Sequence, residues 1–300
     1  MEMRDLQYFA VIAEHGNVRR ASEILELSPP ALSKSLRRLE QSMKAKLVTR
    51  SAKGVELTAV GSALLAQISR IRLTLDDVAR EAEDLSQGRA GHLRIGVNAA
   101  TLEDVSAANA TLMRDAPNVT LAVTVSDNDV MVPALQNGEL DLVVNYLTET
   151  PYAGCATEYL RHEEVVVYAS ASHPLARQKI VTMAQIAQER WALAPVSMLP
   201  WHWLYRAFQD RGLPPPQVAL ETRSLHLRIH TVATSRLLGF NARRTICQAG
   251  PRFRLKELSV RDVTWRRPVG VIYRDGGYLS PAARRFIEIL KAVVREYAGK

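Results

Sequence analysis

The chain opens with apolar positions at helical spacing. Leu6, Phe9, Ala10, Ile12 and Ala13 share one face, and Gly16 follows as a natural stop. Asn17 is suited to cap a second helix whose inward positions are Ala21, Ile24 and Leu25. The turn Glu26-Leu27-Ser28 then leads into Pro29-Pro30. A serine N-cap followed by proline predicts a helix start, because a first-turn residue has no intrahelical amide bond to lose. The third helix runs over 31–40, with Leu32, Leu36 and Leu39 facing inward. Residues 46–50 and 54–58 read as two short strands around a hairpin tip at 51–54. The order helix, turn, helix, wing predicts a winged helix-turn-helix over 1–58.

From 58 to 86 there is no proline, and Gly61 is the only glycine. Leu64, Ile68, Ile71, Leu75, Val78, Ala82 and Leu85 alternate steps of four and three, the seam of a coiled coil. A helix of that length spans roughly 40 Å and needs a cover for its apolar stripe. Pairing with a second copy of the chain is expected, against the alternative of packing on its own chain. The linker helix is assigned to 59–88, and Gly88-Arg89-Ala90-Gly91 closes it.

Beyond residue 92 the pattern alternates. Strands are predicted at 92–97, 119–125, 141–145, 165–168, 191–193, 218–221 and 269–273. Helices fall at 130–137, 183–188, 201–210, 225–234 and 281–297, with another opening at Thr101. Thr101 is its expected N-cap and Asp104 the reciprocal capping-box partner. Such alternation predicts an α/β domain with a parallel sheet, over 92–300.

Charge changes the picture at one place. The net formal charge of +8 is a weak pointer to an anionic partner until its distribution is considered. Between Ser28 and Lys53 stand Lys34, Arg37, Arg38, Lys44, Lys46, Arg50 and Lys53, against the single acid Glu40. Ser33, Lys34, Arg37 and Arg38 occupy the face of the third helix opposite its apolar stripe. Double-stranded DNA is the expected partner, with Arg50 and Lys53 of the wing along the phosphate backbone or an adjacent minor groove.

Other chemistry is sparse. There is no Gly-x-Ser-x-Gly, Gly-x-Gly-x-x-Gly, His-Glu-x-x-His or P-loop, and Ser197 and His202 lack an acid to complete a triad. Enzymatic activity, a cofactor and a metal are therefore not expected. Cys155 and Cys247 have no spaced partners and read as small buried hydrophobes rather than a redox pair. The first residues carry no apolar export signal and no later run is long enough to span a bilayer, so the expected location is the cytoplasm.

The runs Leu6-Gln7-Tyr8-Phe9, Ala21-Ser22, Leu27-Ser28-Pro29-Pro30-Ala31-Leu32-Ser33, Leu39-Glu40, Leu47-Val48-Thr49-Arg50 and Leu57-Thr58-Ala59-Val60-Gly61 resemble the LysR-type transcriptional regulators across the whole DNA-binding domain. Later landmarks are Leu93-Arg94-Ile95-Gly96, Gly138-Glu139-Leu140-Asp141-Leu142-Val143 and Ser172-His173-Pro174-Leu175-Ala176. The resemblance implies a ligand-responsive bacterial regulator that binds promoter DNA. It further implies dimers through the linker helix, a homotetramer, and RNA polymerase as a further partner. DNA-contacting positions carried over are Ser28, Pro29, Pro30, Ser33, Lys34, Arg37, Arg38, Arg50 and Lys53. Pro29 departs from the family, where glutamine usually reaches a base edge, so readout falls to Ser33, Lys34, Arg37 or DNA shape.

The resemblance also implies a two-lobed effector domain like that of periplasmic binding proteins. Lobe I would comprise 92–161 and 269–300, and lobe II 162–268, with crossings near Arg161 and Pro268. Ligands of such folds bind beyond the carboxyl ends of strands, between the lobes. Candidate effector residues there are Asn98, Thr101, Asn145, Ser197, Arg223, Ser224 and Asn241, with Ser126 beside them. Backbone amides from Asn98 to Thr101 offer a carboxylate site at a helix N-terminus. With Arg223, Arg228, Arg243 and Arg244 nearby and Trp201, His202 and Trp203 across the cleft, the expected effector is an aromatic or other carboxylate. The alternative, solvent-facing arginines and core tryptophans, stays open at this point.

Overall fold

Local signals close the first helices as chain chemistry requires. The computed structural model describes residues 2–51, 54–87, 91–261 and 265–298, and the chain divides into two units, Met1–Ala82 and Glu83–Lys300. In the first unit α1 (Met3–His15) ends at Gly16, whose φ of 59° is left-handed. Helix α2 (Val18–Ile24) is capped by Asn17, whose side-chain oxygen accepts from the Arg19 and Arg20 amides at 2.8 and 3.2 Å. Helix α3 (Pro29–Met43) has both prolines in its first turn, and the Ser28 hydroxyl accepts from the Ala31 amide at 3.4 Å. Leu32, Leu36 and Leu39 bury against Leu6, Phe9 and Ile12 of α1, making one small core.

Strands β1 (Val48–Ser51) and β2 (Gly54–Leu57) pair antiparallel as the wing. The wing is tied to the end of α1, because the Val55 amide donates to the Gly16 carbonyl at 2.7 Å. A side chain at Gly54 would run into that same carbonyl, which is why glycine stands there. Helix α4 (Ala59–Gln87) follows, and its apolar seam divides. Leu64 and Ile68 join the unit's own core, whereas Ile71, Leu75 and Val78 stay 42%, 55% and 56% exposed. Expecting the whole seam for a partner was too broad, and the side chain of Leu85 lies outside the described residues.

The second unit runs β3 (His92–Val97), α5 (Leu102–Asp115), β4 (Thr120–Val125), α6 (Asn128–Gln136) and β5 (Leu142–Tyr146). The long β6 (Cys155–Ser170) follows, then α7 (Met183–Ala187), β7 (Arg190–Leu193), α8 (Leu199–Gln209) and β8 (Gln217–Glu221). The chain continues through α9 (Leu225–Ala233), β9 (Leu238–Ala242), α10 (Arg243–Phe253), β10 (Leu255–Leu258), β11 (Trp265–Arg274) and α11 (Pro281–Ala298). The sheet order is β4-β3-β5-β11-β6-β9-β7-β8, with β10 on the flank of β6. Pairs of β3 with β4 and β5, and of β7 with β8 and β9, are parallel. The central pairs β5/β11, β11/β6 and β6/β9 are antiparallel, so the sheet is mixed rather than parallel throughout. Two antiparallel strands running through the middle allow the chain to pass between lobes and return.

Each lobe has its own core. In lobe I, Leu93, Ile95 and Val97 of β3 pack against Leu112 of α5 and Phe286 and Leu290 of α11. In lobe II, Val167, Trp191 and Leu238 pack against Leu204 and Phe208 of α8. Strands β6 and β11 run between them, with Val269 opposite Arg161 and Pro268 opposite His162. Among the described residues no helix is long and apolar enough to cross a membrane.

Candidate nucleic-acid interface and effector cleft

The outer face of α3 carries the candidate DNA contacts. Ser28, Pro29, Pro30, Lys34 and Arg37 are exposed, and Ser33 is half-buried. Lys34 and Arg37 stand one helical turn apart with no ion pair to either among the described residues. Arg38 behaves differently. Its Nε donates to Oδ2 of Asp5 at 2.9 Å, and its Nη2 reaches Oδ1 of the same carboxylate. Asp5 is buried and also accepts from the Ser35 hydroxyl at 2.5 Å. The Arg38 guanidinium beside it holds the Asp5 carboxyl down at about 2, with Ser35 assisting. Arg38 therefore locks α3 onto α1, a role its place in a basic run did not reveal. Glu40, the one acid of that run, is buried and accepts from the Leu47 amide at 3.0 Å and from Lys46 at 2.8 Å. Of the wing candidates, Lys53 lies outside the described residues, as does the Arg50 side chain.

A cavity of about 570 Å³ opens between the lobes of the second unit, at the carboxyl ends of the strands. Asn98 after β3, Ser126 and Asp127 after β4, Arg223, Ser224, His226 and Arg228 at α9, and Asn241 of β9 supply its polar lining. Tyr146, Val165, Met198, Leu225, Ile229 and Phe240 supply the apolar walls. Asn98, Arg223, Ser224 and Asn241 thus meet in one place. Thr101, Asn145 and Ser197 do not line the cavity but support it. Thr101 is wholly buried, and its hydroxyl donates to the carbonyls of Asn98 and Val144 at 3.1 and 3.0 Å. It makes no side-chain cap, and Asp104 pairs instead with Arg161 at 2.9 Å and with Arg244 at 2.9 Å, so the expected capping box is absent. Asn145 accepts from the Asn98 side-chain amide and from the Tyr146 amide at 2.7 Å. Ser197 accepts from Arg223 at 3.1 Å.

The expected carboxylate site at the head of α5 is filled from within. Asn98 Oδ1 already accepts from the Ala100 and Thr101 amides, each at 3.1 Å. Glu103 and Asp104 add negative charge to the first turn. The expected tryptophan wall is also corrected. Trp203 meets Tyr146 edge-on at 4.9 Å and takes the Arg267 guanidinium over its face at 5.0 Å, while Trp201 stacks on Tyr205 at 6.2 Å. Both indoles pack against the lobe II core rather than line the cavity. Tyr146 at the end of β5 and Phe240 in β9 line it instead, with the His226 ring beside them.

The arginines separate as well. Arg223 reaches from lobe II to Asp129 at the head of α6 in lobe I, at 2.6 and 3.2 Å, and holds that carboxyl below the usual range. Arg243 pairs with Glu257 at 2.7 Å and also with Glu164. Arg244 meets Glu103 at 3.3 Å, besides Asp104. The aspartates of Asp127-Asn128-Asp129 escaped sequence reasoning, although acids at a strand end just before a helix are a usable signal. Burial pushes the Asp127 carboxyl up, and the neighbouring Asp129 adds to it. Cys155 is buried as expected, whereas Cys247 is exposed, so it is not the small core residue the sequence suggested.

Comparison with known proteins gives a consistent answer. Residues 3–62 match the profile described as "Bacterial regulatory helix-turn-helix protein, lysR family", and residues 86–295 match the "LysR substrate binding domain". The HTH-type transcriptional regulator GbpR of Azospirillum brasilense is 29% identical over 295 residues, covering 97% of this chain and 86% of that protein. Full-length CbnR complexed with its target DNA superposes with a TM-score of 0.63 at 19% identity, covering 98% of this chain and 100% of that one. The effector-binding domain of QuiR in complex with shikimate covers 69% of this chain and 98% of its own, at a TM-score of 0.62 and 15% identity.

Proposed function

This chain belongs to the LysR family of transcriptional regulators, and on that footing we propose that it reads promoter DNA as a homodimer and answers to a small anionic effector held between its two lobes. It is a DNA-binding regulator with an effector-binding domain, not an enzyme. The observation that carries the DNA reading is the pair Lys34 and Arg37, exposed and without an ion pair among the described residues, on the outer face of a helix whose start is fixed by Ser28, Pro29 and Pro30. Ser33 beside them offers a hydroxyl for either donor or acceptor edges.

Ile71, Leu75 and Val78 support the dimer, since they leave an apolar stripe on α4 that the described residues of their own unit do not cover. A groove lined by Met3, Leu6, Ala10, Ile68, Ile71 and Leu75 continues that stripe onto α1. Sheet edges β4 and β8, where Val123, Val125 and Val218 are exposed, offer the further surface that assembly into a tetramer would need. RNA polymerase remains a further partner on the strength of the family alone. Effector binding would favour one arrangement of the lobes, and the coupling requires different effector affinities in the two arrangements.

Electrophoretic titration of the DNA upstream of the coding sequence tests the reading. Arg37→Ala is expected to weaken DNA binding by about 5- to 150-fold, the loss of one charge-assisted contact being worth about 1–3 kcal/mol, with the melting temperature unchanged. Unchanged DNA affinity would sink the assignment of this face.

A further inference from the structure

The cations around the cleft are not equivalent. Arg223 already has the Asp129 carboxylate, and Arg243 and Arg244 are spent on Glu257, Glu164, Glu103 and Asp104. Arg228 on α9 lines the cavity yet is only 6% exposed. Its Nη1 donates to the Thr222 carbonyl at 3.1 Å, and its Nε has no acceptor. Among the described residues no carboxylate lies within ion-pair distance of it, and Asp127, on the same cavity wall, acts on it only from farther off. Burial pulls its pKa down, the sign of a charge poorly compensated where it stands, although a guanidinium remains protonated. Behind it lies the buried Tyr168 hydroxyl, itself without a partner.

A buried cation without a counter-ion is costly unless something supplies the negative charge. The Ala100 and Thr101 amides ahead of α5 do not compete for that charge, because the Asn98 side chain already accepts from both. The charges at the cavity also bear on the ligand. Arg223 and Arg228 line it against Asp127, with His226 beside them, and Arg223 is taken by Asp129 outside the lining. One added negative charge therefore meets the guanidinium that holds no ion pair, and a second is set against Asp127.

We infer that Arg228 is the anion anchor of the cleft and that the effector is a singly charged carboxylate whose apolar body lies against Tyr146, Met198, Ile229 and Phe240. This rests on the cleft being the effector site. Carboxylate matches the guanidinium fork through the free Nε, and the apolar walls accept a ring or an aliphatic chain.

The test uses the full chain and calorimetric titration with three probes of the same ring-to-headgroup spacing: 3-phenylpropanoate, 3-phenylpropanamide and benzyl phosphate. The acid is expected to bind at least tenfold more tightly than the amide or the phosphate. Arg228→Met should weaken the acid by about 100-fold, the scale of a lost charge-assisted bond, and leave the amide unchanged. The same variant should raise the melting temperature of the unliganded protein, because a buried charge without a partner is removed. Should Arg228→Met not fold, Arg228→Gln serves, since it can keep a bond to the Thr222 carbonyl.

Acid binding unaffected by either variant would overturn the inference, as would equal binding of amide or phosphate, or no acid binding to the wild type at about 10 mM. Ser126→Trp, which narrows the cavity, separates the two levels of the argument. Amide bound as tightly as the acid, and expelled by Ser126→Trp, would overturn the anchor and leave the cleft reading intact. Acid binding indifferent to Ser126→Trp would overturn the cleft reading itself.

Discussion

At the scale of single residues, similar side chains take opposite roles because of what lies beneath them. Arg37 and Arg38 are neighbours in one basic run, yet only Arg38 has a buried carboxylate below it. Asp5→Asn keeps the shape of that contact and removes its charge, so the helix-turn-helix should lose about 2 kcal/mol, measured by urea denaturation. The pH dependence follows from the same group. Asp5 titrates at about 2 when folded, below its ordinary 3.8, so its contribution is complete above the ordinary value. It is lost as pH falls from about 4 through about 2, and the loss should disappear in Asp5→Asn. Nothing in the sequence distinguished Asp5 from a routine first-turn acid of α1, since its partner lies 33 residues away.

Elements were legible where their signals are local. The α3 start needed only Ser28-Pro29-Pro30, and the wing only its hairpin glycine. Strands β6 and β11 were foreseen only as 165–168 and 269–273, because their crossing halves carry alternating charged residues such as Glu163, Glu164, Arg266 and Arg267 instead of an apolar run. Helix α10 went unread for a related reason: it begins with two arginines, contains Pro251, and buries only Ile246 completely. The linker shows the limit of periodicity, which finds an apolar stripe without saying what covers each part. Leu64 and Ile68 are covered by their own unit, so the stripe left for the proposed dimer is Ile71, Leu75 and Val78. Leu75→Glu should therefore convert dimers to monomers in sedimentation velocity while leaving the helix-turn-helix folded. Ala63→Glu, on an exposed position of the same helix away from that stripe, should not.

At the scale of the whole molecule, the site in lobe I and lobe II depends on residues far apart in sequence that only the mixed sheet assembles. Strand-end reasoning placed Asn98, Arg223, Ser224 and Asn241 around one cavity. It missed that Asn98 satisfies the α5 amides, because an asparagine's choice between backbone and ligand depends on its rotamer. Arg223 with Asp129, and Arg244 with Asp104, bridge the two lobes. These partly exposed pairs are worth little singly, so raising salt should loosen the lobes and lower effector affinity only modestly. DNA binding should respond far more steeply, since every neutralised phosphate releases a counter-ion. The most direct measurement is the salt dependence of DNA affinity for the full chain and for Lys34→Ala/Arg37→Ala. The slope of log affinity against log salt is expected to become shallower by about 2, one unit for each phosphate contact removed. An unchanged slope would contradict the claim that the outer face of α3 is where this regulator meets DNA.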